Sequence, residues 1–195
     1  MTRKAPELIL ASASPRRLAL LEQIGIAPHR IVPAEIDERA HAKELPRAHA
    51  LRIATEKARV IRERCADTNV VILAADTVVA CGRRILPKAE DDATVTQCLA
   101  MLSGRRHNVI TAIALIDQER KLRTRTIATK VAFRKLEPGE IAGYVRLREG
   151  LGKAGGYAVQ GRAAAFVRMI NGSYTNVVGL PLSETFQLLK ACGLA

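Results

Sequence analysis

Seven consecutive residues near the start of the chain, Ala11-Ser12-Ala13-Ser14-Pro15-Arg16-Arg17, offer two hydroxyls and two guanidinium groups. Ser14 is placed to N-cap a helix, and Pro15 suits its first position. Arg16 and Arg17 then fall in the first turn. Cations there oppose the partial positive charge of the helix N-terminus, at a cost of about a few tenths of a kcal/mol each. An anion at that end removes the conflict, because backbone N–H groups, serine hydroxyls and guanidinium groups all converge on phosphate oxygens. The other reading is a capped helix whose arginines point into water. The stretch lacks a glycine-rich segment and Gly-Lys-Ser/Thr, so it is no P-loop.

Carboxylates supply the second chemistry. Asp76 follows the apolar run Val70–Ala75, and Thr77 adds a hydroxyl beside it. In open α/β sheets ligands gather at the carboxyl ends of strands, where an Asp can hold a metal ion or take a proton from water. Asp76 reads equally as a turn-forming or capping residue. Ile36-Asp37-Glu38 is a second acidic cluster, either a contributor to a metal site through Glu38 or a solvated turn. Lys57 stands at the edge of a helical apolar stripe, and Lys88 follows Pro87 in a short loop. Either lysine can neutralise phosphate, and either can be a plain surface residue.

The elements that must position these residues alternate apolar runs with amphipathic segments, which predicts an α/β architecture. Glu7–Ala11 reads as a strand, and Pro15–Ile24 as a helix ended by Gly25. Arg30–Pro33 reads as a short strand and Ala48–Arg64 as a long helix with Leu51, Ala54, Ala58 and Ile61 in helical period. Val70–Ala75 has the look of a strand buried on both faces. Val78–Ala80 and Arg84–Leu86 flank Gly82 as a hairpin. Asp92–Leu102 reads as a helix, Asn108–Asp117 and Leu122–Phe133 as long strands, and Glu137–Leu147 as a helix. Ala163–Ile170 reads as a late strand before an Asn171-Gly172 turn, and Ser183–Ala191 as a closing helix.

The chain has 195 residues, enough for one domain or two tightly joined lobes with a proper core. No apolar run approaches bilayer length, and no signal peptide is read, so the expected location is the cytoplasm. Cys65, Cys81, Cys98 and Cys192 form no C-x-x-C pair, which disfavours structural zinc. The net charge of +12 points to polyanionic partners. Aromatics are only 3% with no Trp, which leaves little to build a base-stacking platform, and the cations are scattered. Small phosphorylated ligands are therefore favoured over nucleic acid.

Five segments in order carry a resemblance. Leu10-Ala11-Ser12-Ala13-Ser14-Pro15-Arg16-Arg17 resembles the opening motif of the Maf family of nucleotide pyrophosphatases. Ala75-Asp76-Thr77-Val78-Val79 is similar to its acidic motif, and Leu102-Ser103-Gly104-Arg105-Arg106-His107 to its L-S-G-x-x-H segment. Lys153-Ala154-Gly155-Gly156-Tyr157-Ala158-Val159-Gln160-Gly161 resembles K-A-G-x-Y-x-x-Q-G. Gly172-Ser173-Tyr174 through Val178-Gly179-Leu180-Pro181-Leu182 resembles the C-terminal signature. The chain departs where the family commonly has Gly-Lys-Pro, reading Pro87-Lys88-Ala89, where Gly152 replaces a frequent Asp, and where Ala158 replaces a frequent Gly.

The resemblance implies a mixed β-sheet flanked by helices with a central cleft, similar to inosine triphosphate pyrophosphatases. It implies a homodimer, a divalent cation such as Mg or Mn, and cleavage between the α- and β-phosphates. Its dTTP/UTP branch is the one resembled, with modified pyrimidine nucleotides in reach; a sister branch prefers 7-methyl-GTP. Carried over, Asp76 is general base and metal ligand, with Glu38 as second acidic participant. Ser12, Ser14, Arg17, Lys57 and Lys88 are phosphate contacts, Lys57 and Lys88 serving the catalytic step. Arg16, Thr77 and Gln160 are specificity positions. The competing class is a non-enzymatic nucleic-acid-binding or septum-formation regulator, which the +12 charge favours and the Asp76 site does not.

Overall fold

A run of β-branched and aliphatic residues is most stable where both faces of a strand are covered, and Val70–Ala75 occupies such a place. The computed structural model describes residues 5–195. In it β1 (Glu7–Leu10) pairs in parallel with β3 (Val70–Cys81), Leu8 opposite Val71 and Leu10 opposite Leu73. The short β2 (Arg30–Ile31) pairs in parallel with β1. β4 (Arg84–Leu86) folds back antiparallel on the end of β3, Cys81 opposite Arg84. Gly82 takes φ +61° at the first turn position, which a two-residue hairpin of type II′ requires. With β5 (Arg106–Ile116), β6 (Leu122–Phe133) and β7 (Val167–Asn171) the order is β2-β1-β3-β5-β6-β7, β4 lying off β3. β6 and β7 are antiparallel, so the sheet is mixed.

The helices fall where the sequence places them: α1 (Pro15–Gln23), α2 (Pro46–Arg64), α3 (Asp92–Leu102), α4 (Pro138–Arg146) and α6 (Leu182–Lys190). Three segments differ. β3 does not stop at Ala75 but continues through Asp76 to Cys81. Strand pairing uses only backbone groups, so a polar pair does not end it. Arg162–Phe166 is a 3-10 turn rather than the start of a strand, and only Val167–Asn171 is extended. The alanine run there is apolar without being β-branched, which leaves its backbone unspecified. A five-residue helix, α5 (Tyr174–Val178), was not expected.

The described chain divides into two compact units. One comprises the chain through Asp76 with Thr111–Ile127 and Gly179–Ala195; the other comprises Thr77–Ile110 and Ala128–Val178. β3, β5 and β6 each contribute a segment to both. In the first unit Leu8, Leu10, Leu21, Ile53, Ile61, Ile72 and Leu73 are fully buried, each worth about 1.5–3 kcal/mol relative to exposure. In the second, Phe133, Tyr144, Tyr157 and Phe166 cluster edge to face with His107, with Phe133 and Tyr157 ring centres 4.9 Å apart. Among the described residues no helix is long and apolar enough to cross a membrane.

Candidate functional site

Sheet geometry delivers Asp76. β1 ends at Leu10, and Ala11 N still donates to Leu73 O at 2.8 Å. β3 runs on, so Asp76 lies beyond the carboxyl end of its parallel partner while in the interior of its own strand. The strand-end rule is met by β1 and not, as the sequence suggests, by β3. Asp76 is 8% exposed and Lys57 7%. Lys57 is therefore on the buried stripe of α2, with Ile53, Ala54 and Ile61, rather than at its edge. Its Nζ lies 3.0 Å from Asp76 Oδ1 and 2.7 Å from Glu38 Oε1. A lone ammonium at this depth would cost several kcal/mol; two carboxylates offset that. The Glu38 side chain is 48% exposed, so one end of the triad opens to water.

A clamp on α2 holds the loop that carries Glu38. Glu44 accepts from Arg52 Nε at 2.8 Å and lies 2.9 Å from His49 Nδ1. Arg52 Nη2 also donates to Arg39 O at 3.0 Å. The Arg52 guanidinium holds the Glu44 carboxyl well below the usual carboxylate range. Asp37 does not join Glu38; it pairs with Arg39 at 2.6 Å.

The β1–α1 junction adds the hydroxyls and guanidiniums. Ser14 sits at the N-cap position with extended backbone, yet its side chain makes no capping bond. The expected serine cap is absent; Ser12 Oγ instead accepts from Ser14 N at 3.2 Å and from Arg17 Nη1 at 3.1 Å. Arg17 is buried, and its Nε donates to Gly179 O at 2.9 Å. The first motif is thereby tied to the last, where Gly179 takes φ +128°. Burial pushes the Arg17 guanidinium down, with Asp76 and Glu38 opposing and Arg16 adding to the shift. Arg16 is half-buried and also lowered by burial. Its guanidinium has no hydrogen-bond or ion-pair partner among the described residues. No acidic side chain lies in the first turn of α1, so the helix start is left strongly positive.

The first unit thus holds two bonded groups, Ser12 with Arg17 and Lys57 with Asp76 and Glu38, which feel each other through the charges of Asp76 and Glu38 on Arg17, with Ser14 and Arg16 beside Ser12 and Arg17 in the chain. Thr77, Lys88 and Gln160 belong to the second unit. Thr77 follows Asp76 in β3, so its side chain leaves the opposite face. Lys88 is exposed in a loop bridged to Ala154. Ala89 N donates to Lys153 O at 3.0 Å, and Gly152 N to Ala89 O at 2.7 Å. A proline at 89 would have no N–H for the first bond; two of the chain's departures from the family pattern are therefore hydrogen-bonded to the same loop pair. Gln160 is exposed. The Arg17–Gly179 bond spans 162 residues and the Ala89–Lys153 bond joins two distant loops, and contacts of that kind leave no local signal in the sequence.

No group of three or more metal-binding side chains occurs among the described residues. Asp76 and Glu38 nonetheless fit a cation, because both carboxylates reach one Lys57 nitrogen and so lie close together. Magnesium commonly takes one or two carboxylates and completes its shell with water and substrate phosphate.

Fold and site together define an α/β protein with a buried, charged centre where a parallel strand ends. The chain belongs to the Maf family: residues 7–192 match the model described as Maf-like protein. It is 55% identical over 188 residues, 96% of each chain, to a Caulobacter vibrioides protein named dTTP/UTP pyrophosphatase. A Rhodospirillum rubrum protein of the same name is 56% identical over 98% of this chain and 90% of its own. A solved dITP/XTP pyrophosphatase from Mycobacterium abscessus is 22% identical with a TM-score of 0.43, over 67% of this chain and 75% of its own.

Proposed function

We propose that this protein hydrolyses dTTP and UTP, and modified pyrimidine nucleotides of the same shape, to the monophosphate and pyrophosphate. The observation that carries the reading is the buried Lys57 ammonium shared by Asp76 and Glu38 next to the Ser12–Arg17 phosphate motif. Relatives of more than 50% identity bear the name of that activity.

Water attacks the α-phosphorus, a new P–O bond forms, and the bond to the bridging oxygen of the β-phosphate breaks. Asp76 Oδ1 is engaged by Lys57, whereas its other oxygen has no hydrogen-bond partner among the described residues and serves as the proton acceptor. Asp76 and Glu38 would hold a magnesium or manganese ion, which supplies neutralisation of phosphate charge and acidifies water. Arg16, Arg17, Lys57 and Lys88 offset the charge that builds on the departing pyrophosphate, the dominant demand in phosphoryl-type transfer. Gln160, whose amide both donates and accepts, reads the pyrimidine edge, with Thr77 as its companion specificity position. A homodimer in the cytoplasm belongs to the same reading.

The test is product analysis by ion exchange after incubation with dTTP, UTP, CTP, 7-methyl-GTP, ATP and GTP and either metal. Monophosphate and pyrophosphate from dTTP and UTP are expected. Preference for 7-methyl-GTP would overturn the roles of Thr77 and Gln160, and no turnover at all would overturn the activity.

A further inference from the structure

The loop that carries Gln160 is pinned on both sides of that residue. Ala158 O accepts from Gly161 N at 3.1 Å, closing a turn with Gln160 at its third position. Two residues before Gln160, Ala158 N donates to Tyr144 Oη at 3.0 Å. Two residues after it, Arg162 N donates to Glu149 Oε2 at 2.8 Å. Tyr157 anchors the approach, buried and bonded to His107 Nε2 at 2.8 Å. The turn's backbone is fixed while the Gln160 side chain stays exposed and has no partner among the described residues.

Glu149 lies closer to this turn than its hydrogen bond alone would show. A β-carbon on Gly161 would stand 2.1 Å from Glu149 Oε2 and 2.7 Å from its Cδ. Gly161 has φ −102° and an extended backbone, which other residues adopt readily. The backbone angle does not call for glycine here: a side chain at 161 would enter the volume held by the Glu149 carboxylate and push that flexible side chain off Arg162 N.

We infer that Glu149, with Tyr144 as its counterpart, is a positioning residue that locks the 158–161 turn so that the Gln160 amide meets a pyrimidine edge in one orientation. The inference rests on the reading of Gln160 as the group that contacts the base. An amide discriminates only when its donors and acceptor face the right atoms. Uracil and cytosine differ by an exchange of donor and acceptor at that edge, so a turn free to shift would move the Gln160 amide out of reach of the uracil edge. A turn ordered in advance also avoids the entropy loss of ordering it upon binding.

The test is the ratio of kcat/KM for UTP to that for CTP, from which the folded fraction cancels. Gln160→Ala sets the floor. Glu149→Ala is expected to lower the ratio about tenfold, the worth of one ordinary hydrogen bond, through loss on UTP and not on CTP. Glu149→Gln is expected to restore it, since the amide carbonyl still accepts from Arg162 N. Gly161→Ala displaces the carboxylate and lowers the ratio likewise, but has little further effect in a Glu149→Ala background. An unchanged ratio in Glu149→Ala, with Gln160→Ala lowering it, would overturn the positioning role. If Glu149→Ala fails to fold, an unchanged ratio in Gly161→Ala does the same. An unchanged ratio in Gln160→Ala would instead remove the base-reading role of Gln160, and the inference with it.

Discussion

In the first unit the groups at the candidate site are ionic and buried: Lys57, Asp76 and Arg17 are each less than a tenth exposed. In the second unit the exposed Gln160 is carried on a turn held by backbone donors, a tyrosine hydroxyl and an aromatic cluster. The contrast fits the two tasks proposed for these groups. Charge developing on phosphate is best stabilised by ions already stripped of water and fixed in place. Telling one base from another depends on the direction of a few neutral hydrogen bonds, which rigidity supplies and charge does not. The contrast can be broken at either end.

The largest effect is expected from Asp76→Asn, which removes the charge and keeps the shape. Turnover of dTTP should fall by about a thousandfold, within the range for loss of a general base, while nucleotide affinity measured by calorimetry changes little. Near-normal turnover would show that the ionic centre is structural only.

Lys57→Met comes next. It leaves the Asp76 and Glu38 carboxylates facing each other without their shared ammonium. Removing one partner of a buried pair costs about 3 kcal/mol or more, read as a fall in unfolding free energy at pH 7. Millimolar magnesium or manganese should return more stability to this variant than to the wild type, because the ion takes the vacated charge. No stabilisation of the variant by either metal would argue against a cation site at these carboxylates.

The sequence makes the ionic half more legible than the recognition half. Ser12, Arg17 and Asp76 stand next to an apolar run and a Pro-started helix, local signals that name their elements. Even so, the run ends in the sequence at Ala75 while the strand continues to Cys81, because Asp76 and Thr77 break the hydrophobic pattern but not the backbone ladder. That Lys57 lies inside rather than at the rim of α2 depends on Glu38, which arrives from a loop of no regular structure. The Glu149–Gly161 packing has no signature at all: a glycine with ordinary dihedrals looks like any loop glycine until the carboxylate beside it is placed.

A smaller effect tests whether the second unit depends on neutrality. Burial pushes His107 from 6.5 down to about 4, and its Nδ1 has no hydrogen-bond partner among the described residues. Below pH 6.5 the unfolded chain takes up a proton that folded His107 refuses, so stability falls with pH until the folded value is passed. Between pH 7 and pH 5 the loss is about 2 kcal/mol. His107→Gln should remove that part of the pH dependence in thermal unfolding, whatever its effect at pH 7. An unaltered slope would mean that His107 is protonated in the folded protein, and that its bond to Tyr157 is of a different kind.

The smallest effect separates local clamping from general firmness. Asp91 caps α3 in the same unit, its Oδ1 accepting from Thr94 N at 2.6 Å. Asp91→Ala removes a helix cap and should lower Tm by a few degrees at most. Asp91 has no bond to the 158–161 turn, so the UTP to CTP ratio should stay at its wild-type value. Glu149→Ala is expected to move that ratio even at a similar Tm. Were the two variants to shift the ratio equally, preference would follow the overall stability of the unit, and rigidity at Gln160 would be a property of the whole aromatic core rather than of one carboxylate.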